Sequence, residues 1–304
     1  MSKKPLLICV VGATAIGKTT LSIALATAFN TEIISADSRQ FYSSMNIGTA
    51  VPSTKELAAA PHHFIQHKSI FDSYSVGDFE REALLKLDTL FGKKSTAILV
   101  GGSGLYVDAV VNGLDHFPDI DKQIRETLNT QLDTNGLAFL QQELMRVDPM
   151  YYKTMDTENP RRVIRALEIY RATGKPYASF LKARTANRNF ETLYIGLTAE
   201  RPIVYQRINE RVDIMLENGL LEEVKQLRAH KDLNALQTVG YRELFQYFEG
   251  TLTLEKAVEE IKKNTRRFAK RQGTWFRKNQ QIHWFDYTSK SDDIVKFIKE
   301  KNAL

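Results

Sequence analysis

The 304-residue chain has a single cysteine, Cys9, set in an apolar run with no CxxC spacing and no histidine at metal-ligand distance. A disulfide framework and a zinc finger are thereby excluded, and a reducing cytoplasm is the expected compartment. Long apolar runs are missing too. None approaches the roughly 20 residues that cross a bilayer, so no membrane partner is expected. There is no internal repeat and no low-complexity linker. With 43% hydrophobic and 26% charged residues, neither wholesale disorder nor a fibrous repeat fits. Lys3 and Lys4 before the apolar run, with Ala13-Thr14-Ala15 after it, imitate a secretion signal. Cleavage there would destroy the phosphate loop described below, so the segment is read as part of the fold.

Charge is unevenly distributed. The formal net charge is +6, yet residues 161–188 hold eight Lys/Arg against one Glu, and residues 262–278 hold eight against none. These segments carry +7 and +8, leaving −9 for the rest of the chain. Any one charge run is most often a solvated helix face. Two concentrated runs on an acidic body suit a polyanion-binding surface better. Within the second run Phe268, Trp275 and Phe276 interleave with the cations, and they are read as core residues rather than base-stacking platforms.

Apolar patterning gives the architecture. Residues 6–11 read as a short buried strand between Pro5 and Gly12, and Leu21, Ala24, Leu25 and Ala28 then recur at helical spacing. Further strands are expected over 32–36, 97–100, 193–197 and 282–287, with long helical stretches over 201–228 and 254–278. Strands alternating with helices imply an α/β fold, a parallel sheet flanked by helices, with sites at the carboxyl ends of the strands. Residues 117–189 show helical periodicity without strands and are expected to form an inserted all-helical domain, the core comprising 1–116 and 190–304.

Gly12-Ala13-Thr14-Ala15-Ile16-Gly17-Lys18-Thr19 matches GxxxxGK[ST] between a strand and a helix, the context this motif requires. Loop N–H groups would face a phosphate, Lys18 would add charge and Thr19 could ligate Mg²⁺. A nucleotide-hydrolysing enzyme would also set a carboxylate at the end of a neighbouring strand. The strand over 97–100 runs instead into Gly101-Gly102-Ser103-Gly104, which argues against a simple ATPase. Asp37 is the obvious strand-end carboxylate, and an Asp there could equally cap a helix. His62, His63 and His67 lack a third ligand and are read as ordinary surface or packing histidines.

Taken in order, GATAIGKT at 12–19, DSRQFY at 37–42, NIGTAVP at 46–52, GGSGLY at 101–106, ERVDIML at 210–216, QTVGYRE at 237–243 and KRQGTWFR at 270–277 resemble the bacterial tRNA dimethylallyltransferases, also called tRNA isopentenyltransferases. The resemblance spans nearly the whole chain. It implies a P-loop NTPase-like core with an inserted helical domain, a Mg²⁺ requirement, and transfer of a dimethylallyl group from dimethylallyl diphosphate to the exocyclic amine of the adenine 3′ of the anticodon in tRNA. Two departures are visible. Ser103 stands where the family usually has Thr, and Ile16 is bulkier than the common residue, which could narrow the allyl pocket.

By this resemblance Asp37 is the base that accepts the amine proton, Ser103 binds near the bridging oxygen of the diphosphate, and Arg211, on a helix over 207–220, joins Lys18 on the diphosphate oxygens. Spacing alone would leave Arg211 a surface residue one turn from Arg207. A stacked adenine could not reach a buried diphosphate, so it is expected to be splayed into the core, its edge and backbone read by Ser38, Arg39 and Gln40. The turn Gln237-Thr238-Val239-Gly240-Tyr241-Arg242 is expected to contact the anticodon loop. Arg161, Arg162 and Arg165 are assigned to the stem backbone, and Val163 and Ile164 between them, with Arg125 of the inserted domain, are also expected to bind tRNA. A monomer is expected, since no heptad or large apolar face is evident. The competing reading is a small-molecule P-loop kinase, in which the two basic segments would have no evident purpose; a non-catalytic RNA-binding module would not need Lys18, Thr19 and Asp37 together.

Overall fold

The computed structural model describes residues 3–181 and 187–302. Lys182 and Arg184 of the first basic segment lie outside the described residues. The chain divides into two compact units, Met1–Val111 with Asn187–Leu304, and Asn112–Ala186.

The larger unit is built on a six-stranded, all-parallel sheet: β1 (Leu6–Gly12), β2 (Ile33–Ser35), β3 (His62–His63), β4 (Thr96–Gly101), β5 (Glu191–Thr198) and β6 (Ile282–Asp286), in spatial order β3-β2-β4-β1-β5-β6. It is an α/β fold of the P-loop NTPase-like class. Strand β1 is central because it is apolar on both faces. Leu7, Cys9 and Val11 enter one core, and Leu6, Ile8 and Val10 enter the other. Parallel strands covered on both faces read as continuous apolar runs, which is why β1 and β4 stand out in the sequence. Cys9 is fully buried, and that burial pushes its thiol far above the usual range, so it is an inert packing residue.

Helices α1 (Lys18–Ala28) and α2 (Thr54–Ala59) follow β1 and β2, and α3 (Val76–Phe91) leads into β4. Both α2 and α3 start at capping boxes, Ser53 with Glu56 and Ser75 with Asp78. After β4 comes α4 (Gly104–Asn112). The smaller unit then holds α5 (Lys122–Asn135), α6 (Leu137–Val147), α7 (Pro149–Thr154) and α8 (Pro160–Thr173) around Leu128, Leu140, Leu144, Val163, Ala166 and Leu167. Helix α8 starts on an Asn159 cap with Pro160 in its first turn and stops at left-handed Gly174.

The stretch expected to be helical over 201–228 is not continuous. It consists of α9 (Arg201–Glu217) and α10 (Leu220–Gln226), because Gly219 adopts φ +98° between them. Next come α11 (Tyr241–Phe248), α12 (Leu254–Phe276) and, after β6, α13 (Ser291–Asn302). The strand expected over 32–36 is shorter, Ile33–Ser35, and pairs with an edge strand at His62–His63 that the sequence does not announce. Strand order places the ends of β1, β2 and β4 side by side, so the phosphate loop, Asp37 and the glycine turn before α4 converge there.

Candidate active site

The loop after β1 turns through Gly12 at φ +145°, Ala15 at +62° and Gly17 at +109° before α1 begins at Lys18. Ala15 holds a left-handed conformation without being glycine, so the surrounding contacts must enforce it. One of them is visible: Arg207 Nε of α9 donates to the Ala15 carbonyl at 2.7 Å, with its guanidinium over the Tyr287 ring. Lys18 Nζ donates back to the Ala13 carbonyl at 2.7 Å. Burial, with the nearby Arg211 charge, lowers the Lys18 ammonium to about 8 against the opposing pull of Asp37. Burial and the charge on Arg207 also lower Arg211.

Asp37 caps no helix. It closes a turn, accepting the Arg39 N–H on Oδ1 at 3.0 Å. The Ser38 N–H and hydroxyl each lie 3.4 Å from Ser103 Oγ, joining the end of β2 to the turn after β4.

Two cavities meet here. One of about 750 Å³ is lined by Lys18, Thr19, Arg207 and Arg211. The other, of about 480 Å³, is lined by Ser38, Ser103, Tyr106, Phe268, Arg271 and Trp275. Thr14, Asp37, Gly102 and Arg211 line both, so a carboxylate and a guanidinium stand where an anion-binding space abuts an aromatic one. Aromatic walls with convergent polar groups suit a flat heterocycle, and the loop N–H groups suit a phosphate.

Chain comparison decides the family. Residues 40–279 match the family model described as IPP transferase. The chain belongs to that family. A tRNA dimethylallyltransferase of Christiangramia forsetii is 58% identical over 295 residues, covering 97% of this chain and 98% of the relative. One from Bacteroides fragilis is 44% identical over 293 residues, 96% of this chain and 97% of the relative. Among solved structures, the tRNA isopentenylpyrophosphate transferase of Bacillus halodurans superposes with a TM-score of 0.74 at 38% identity, over 99% of this chain and 97% of that one. A eukaryotic dimethylallyltransferase described as acting on tRNA gives a TM-score of 0.80 at 28% identity, over 98% of this chain and 80% of that one. These relatives remove the small-molecule kinase from consideration.

Against that family background, several residues singled out in the sequence stand elsewhere than expected. Gln40 faces the anion side, its amide donating to the Thr49 and Ala50 carbonyls and its Oε1 accepting from Ser35, so it is committed to the chain rather than to a base. Arg39 lines the aromatic cavity while donating to the Asn234 and Ala235 carbonyls. Tyr241 is fully buried, with its hydroxyl on Glu223 Oε1 at 2.7 Å; it holds the turn from inside instead of presenting a surface to RNA. Gln237, Thr238, Val239, Gly240 and Arg242 do line the aromatic cavity. Val163 and Ile164 are core residues of the smaller unit, as alternate faces of an amphipathic α8 require, whereas Arg161 and Arg162 are exposed. Arg125 grips buried Glu168 through two hydrogen bonds at 3.1 and 2.7 Å, and Arg165 reaches the same carboxylate at 3.2 Å. Ile16 is 1% exposed and packs into the core beneath the loop as well as bordering the anion cavity. Phe276 is core, but Phe268 and Trp275 are part-exposed walls of the second cavity, against the expectation that all three are core.

Two residues carry more of the site than their sequence signal shows. Glu223 of α10 accepts the N–H groups of Asn46, Ile47 and Gly48 at 2.7 to 3.0 Å, holding the loop between the cavities. Gln272 of α12 accepts the Thr14 N–H at 2.8 Å and donates to the Gly102 carbonyl at 3.0 Å. A Cβ on Gly102 would overlap that amide, and one on Gly104 would overlap Trp275, so the glycine turn exists to admit α12. The only signal was Gln272's place within KRQGTWFR; its partners are up to 258 residues away.

Among the described residues no three His, Cys, Asp or Glu side chains group into a metal cage. His62 and His63 lie on the edge strand, His63 paired with Glu32, and His67 sits among Phe41, Phe64 and Tyr74. Oxygen donors lining the anion cavity include the Thr19 hydroxyl and the Asp37, Glu56 and Glu210 carboxylates. Hydroxyl and carboxylate oxygens that do not gather into a cage suit Mg²⁺, which keeps most of its ligands as water and substrate phosphate oxygens, better than zinc, which takes a tetrahedral set rich in His and Cys. No helix among the described residues is long and apolar enough to cross a membrane.

Proposed function

We propose that the chain transfers a dimethylallyl group from dimethylallyl diphosphate to the exocyclic amine of the adenine 3′ of the anticodon in tRNA. The observation that carries this reading is the pair of cavities sharing Asp37 and Arg211, one built for phosphate and one for an aromatic base. The diphosphate would lie against the loop 12–19, with Lys18 and Arg211 on its oxygens. The adenine would enter past Phe268 and Trp275.

In the transfer, the bond between the allyl carbon and the diphosphate oxygen breaks and its electron pair leaves with diphosphate. The adenine N6 lone pair forms the new C–N bond, and the proton passes to the Asp37 carboxylate. Charge grows on the leaving oxygen as the bond breaks. Lys18, Arg211 and the loop N–H groups therefore stabilise the transition state more than the ground state. Ser103 would donate near the bridging oxygen, and its contact with Ser38 ties that hydroxyl to the Asp37 turn. Thr19 would hold Mg²⁺, which when bound supplies further charge neutralisation on the diphosphate. Arg161 and Arg162 would meet the stem phosphates. A monomer acting in the cytoplasm is the form this reading implies.

The test is transfer of labelled dimethylallyl from its diphosphate to an unmodified anticodon stem-loop, with Mg²⁺ and no ATP. Adduct formation that is lost when the target adenine becomes guanine supports the reading. No adduct on either RNA overturns it.

A further inference from the structure

The two loops assigned chemistry come from separate strands, β1 and β4, and neither hydrogen-bonds the other directly through the groups at the cavity floor. The amide of Gln272 spans them. Its Oε1 takes the Thr14 N–H at 2.8 Å, its Nε2 gives to the Gly102 carbonyl at 3.0 Å, and the residue is only 6% exposed. Thr14 and Gly102 both border the two cavities, and Ser103 follows Gly102. Gln272 shares α12 with Phe268, Arg271 and Trp275, the wall of the aromatic cavity.

We propose that Gln272 is a positioning residue for the transfer: its amide sets the spacing between the phosphate loop and the Ser103 turn and ties both to the base-facing wall of α12. This inference rests on the function proposed above. Only a side chain of this length with a donor and an acceptor at its tip meets both demands. Asparagine is one methylene short. Methionine leaves a backbone N–H and a carbonyl unpaired in a buried place. Glutamate keeps the acceptor for Thr14 but turns a carboxylate oxygen toward the Gly102 carbonyl.

That last substitution provides a readout that a merely structural role would not move. A buried carboxylate facing a carbonyl has a raised pKa. Once protonated, the carboxyl again offers one donor and one acceptor, as the amide does. For Gln272→Glu the expected result is a kcat reduced about 10- to 100-fold near pH 8, with stem-loop affinity unchanged. The ratio of wild-type to variant kcat should then shrink toward one as pH falls to about 5.5; losses common to both proteins cancel in the ratio.

Gln272→Met should show the same loss with no recovery at low pH. It also carries the test should Gln272→Glu fail to fold: a soluble Gln272→Met protein with wild-type kcat would overturn the proposal. So would a Gln272→Glu protein equal to wild type at every pH, or one whose deficit is the same at every pH. If wild type itself forms no adduct, the proposed function falls; if wild type transfers and both variants match it, only the role of Gln272 falls.

Discussion

Residues 161–188 and 262–278 look alike on paper, eight cations each, and the fold engages them differently. In the second, Lys262 pairs with Asp213 at 2.5 Å, Arg266 donates to Asn209 and lies over Tyr205, and Arg271 lies over Phe268. Those three brace a helix whose side chains wall a cavity, while Arg267, Lys270, Arg277 and Lys278 of the same run are exposed. In the first, Arg165 shares buried Glu168 with Arg125, Arg171 grips Glu143 and Gln131, and Arg188 grips Glu80, which leaves Arg161, Arg162 and Lys175 exposed among the described residues. Net charge locates a region that suits a polyanion. It does not tell which cations remain available after the fold has taken its share.

The sharpest way to break this contrast is to ask whether chemistry depends on the larger unit alone. Lys18→Met should lower kcat by about 10²- to 10³-fold, the scale of losing one preorganised contact to developing charge, with stem-loop Kd unchanged. Asp37→Asn should fall in the same range, through loss of the base. A double Arg161→Ala, Arg162→Ala protein should keep its kcat at saturating RNA. Single-turnover measurements separate these cases, and a large kcat loss in the double variant would dissolve the comparison.

Next in size is the aromatic wall. Trp275→Ala should weaken stem-loop binding by roughly 1 to 3 kcal/mol, the range for removing one stacking platform, without altering the salt dependence. Trp275 Nε1 also donates to Asp108 at 3.0 Å, so Trp275→Phe, which keeps a ring without that bond, separates stacking from anchoring. Equal losses in both variants would assign the effect to the anchor.

How legible this was depends on how far apart the partners sit in the chain. The phosphate loop could be read at once, since a buried strand, a glycine-bounded loop and a helix lie within about two dozen residues and each obeys local rules. The parallel sheet was equally plain from the apolar runs of β1 and β4. Strand β3 was not, because a two-residue edge strand has no periodicity to detect. The break at Gly219 was signalled by a single residue. What stayed hidden were side chains whose role is set by distant backbone. Gln272 and Glu223 look like ordinary polar residues on helices, and only the fold brings a carbonyl or three N–H groups to them. Tyr241 failed the other way: its place beside glycine in a turn suggested a surface contact, yet its ring fills the core.

A smaller effect concerns pH. Burial and Arg211 hold the Lys18 ammonium to about 8 in the free protein, while a bound diphosphate favours the charged form. Below about pH 8 the lysine is already protonated and binding needs no proton. Above it the amine is neutral, and binding must take one up. Diphosphate affinity is therefore expected to be level below that point and to fall about tenfold per pH unit above it, until the lysine of the complex also titrates. Lys18→Met should remove this bend. Competition by inorganic diphosphate across pH 7 to about 10 measures it, and a bend retained in Lys18→Met would assign the titration to another group.

The smallest effect tests the contrast within one helix. Arg161 and Arg162 are exposed on α8, while Arg125 from α5 meets α8 at Glu168. If exposed cations are the ones that meet phosphate, each of Arg161→Ala and Arg162→Ala should reduce the slope of log K against log salt by about 0.7 to 0.9 while leaving the melting temperature in place. Arg125→Ala should do the reverse. It leaves a buried carboxylate with Arg165 as its remaining partner, so about 1 to 3 kcal/mol of stability should be lost, with little change in slope. Because Glu168 is 6% exposed and cannot relax toward water, Arg125→Ala with Glu168→Gln should be more stable than Arg125→Ala alone. A reduced salt slope in Arg125→Ala at unchanged stability would place that guanidinium on the RNA and remove the distinction drawn between braced and available cations.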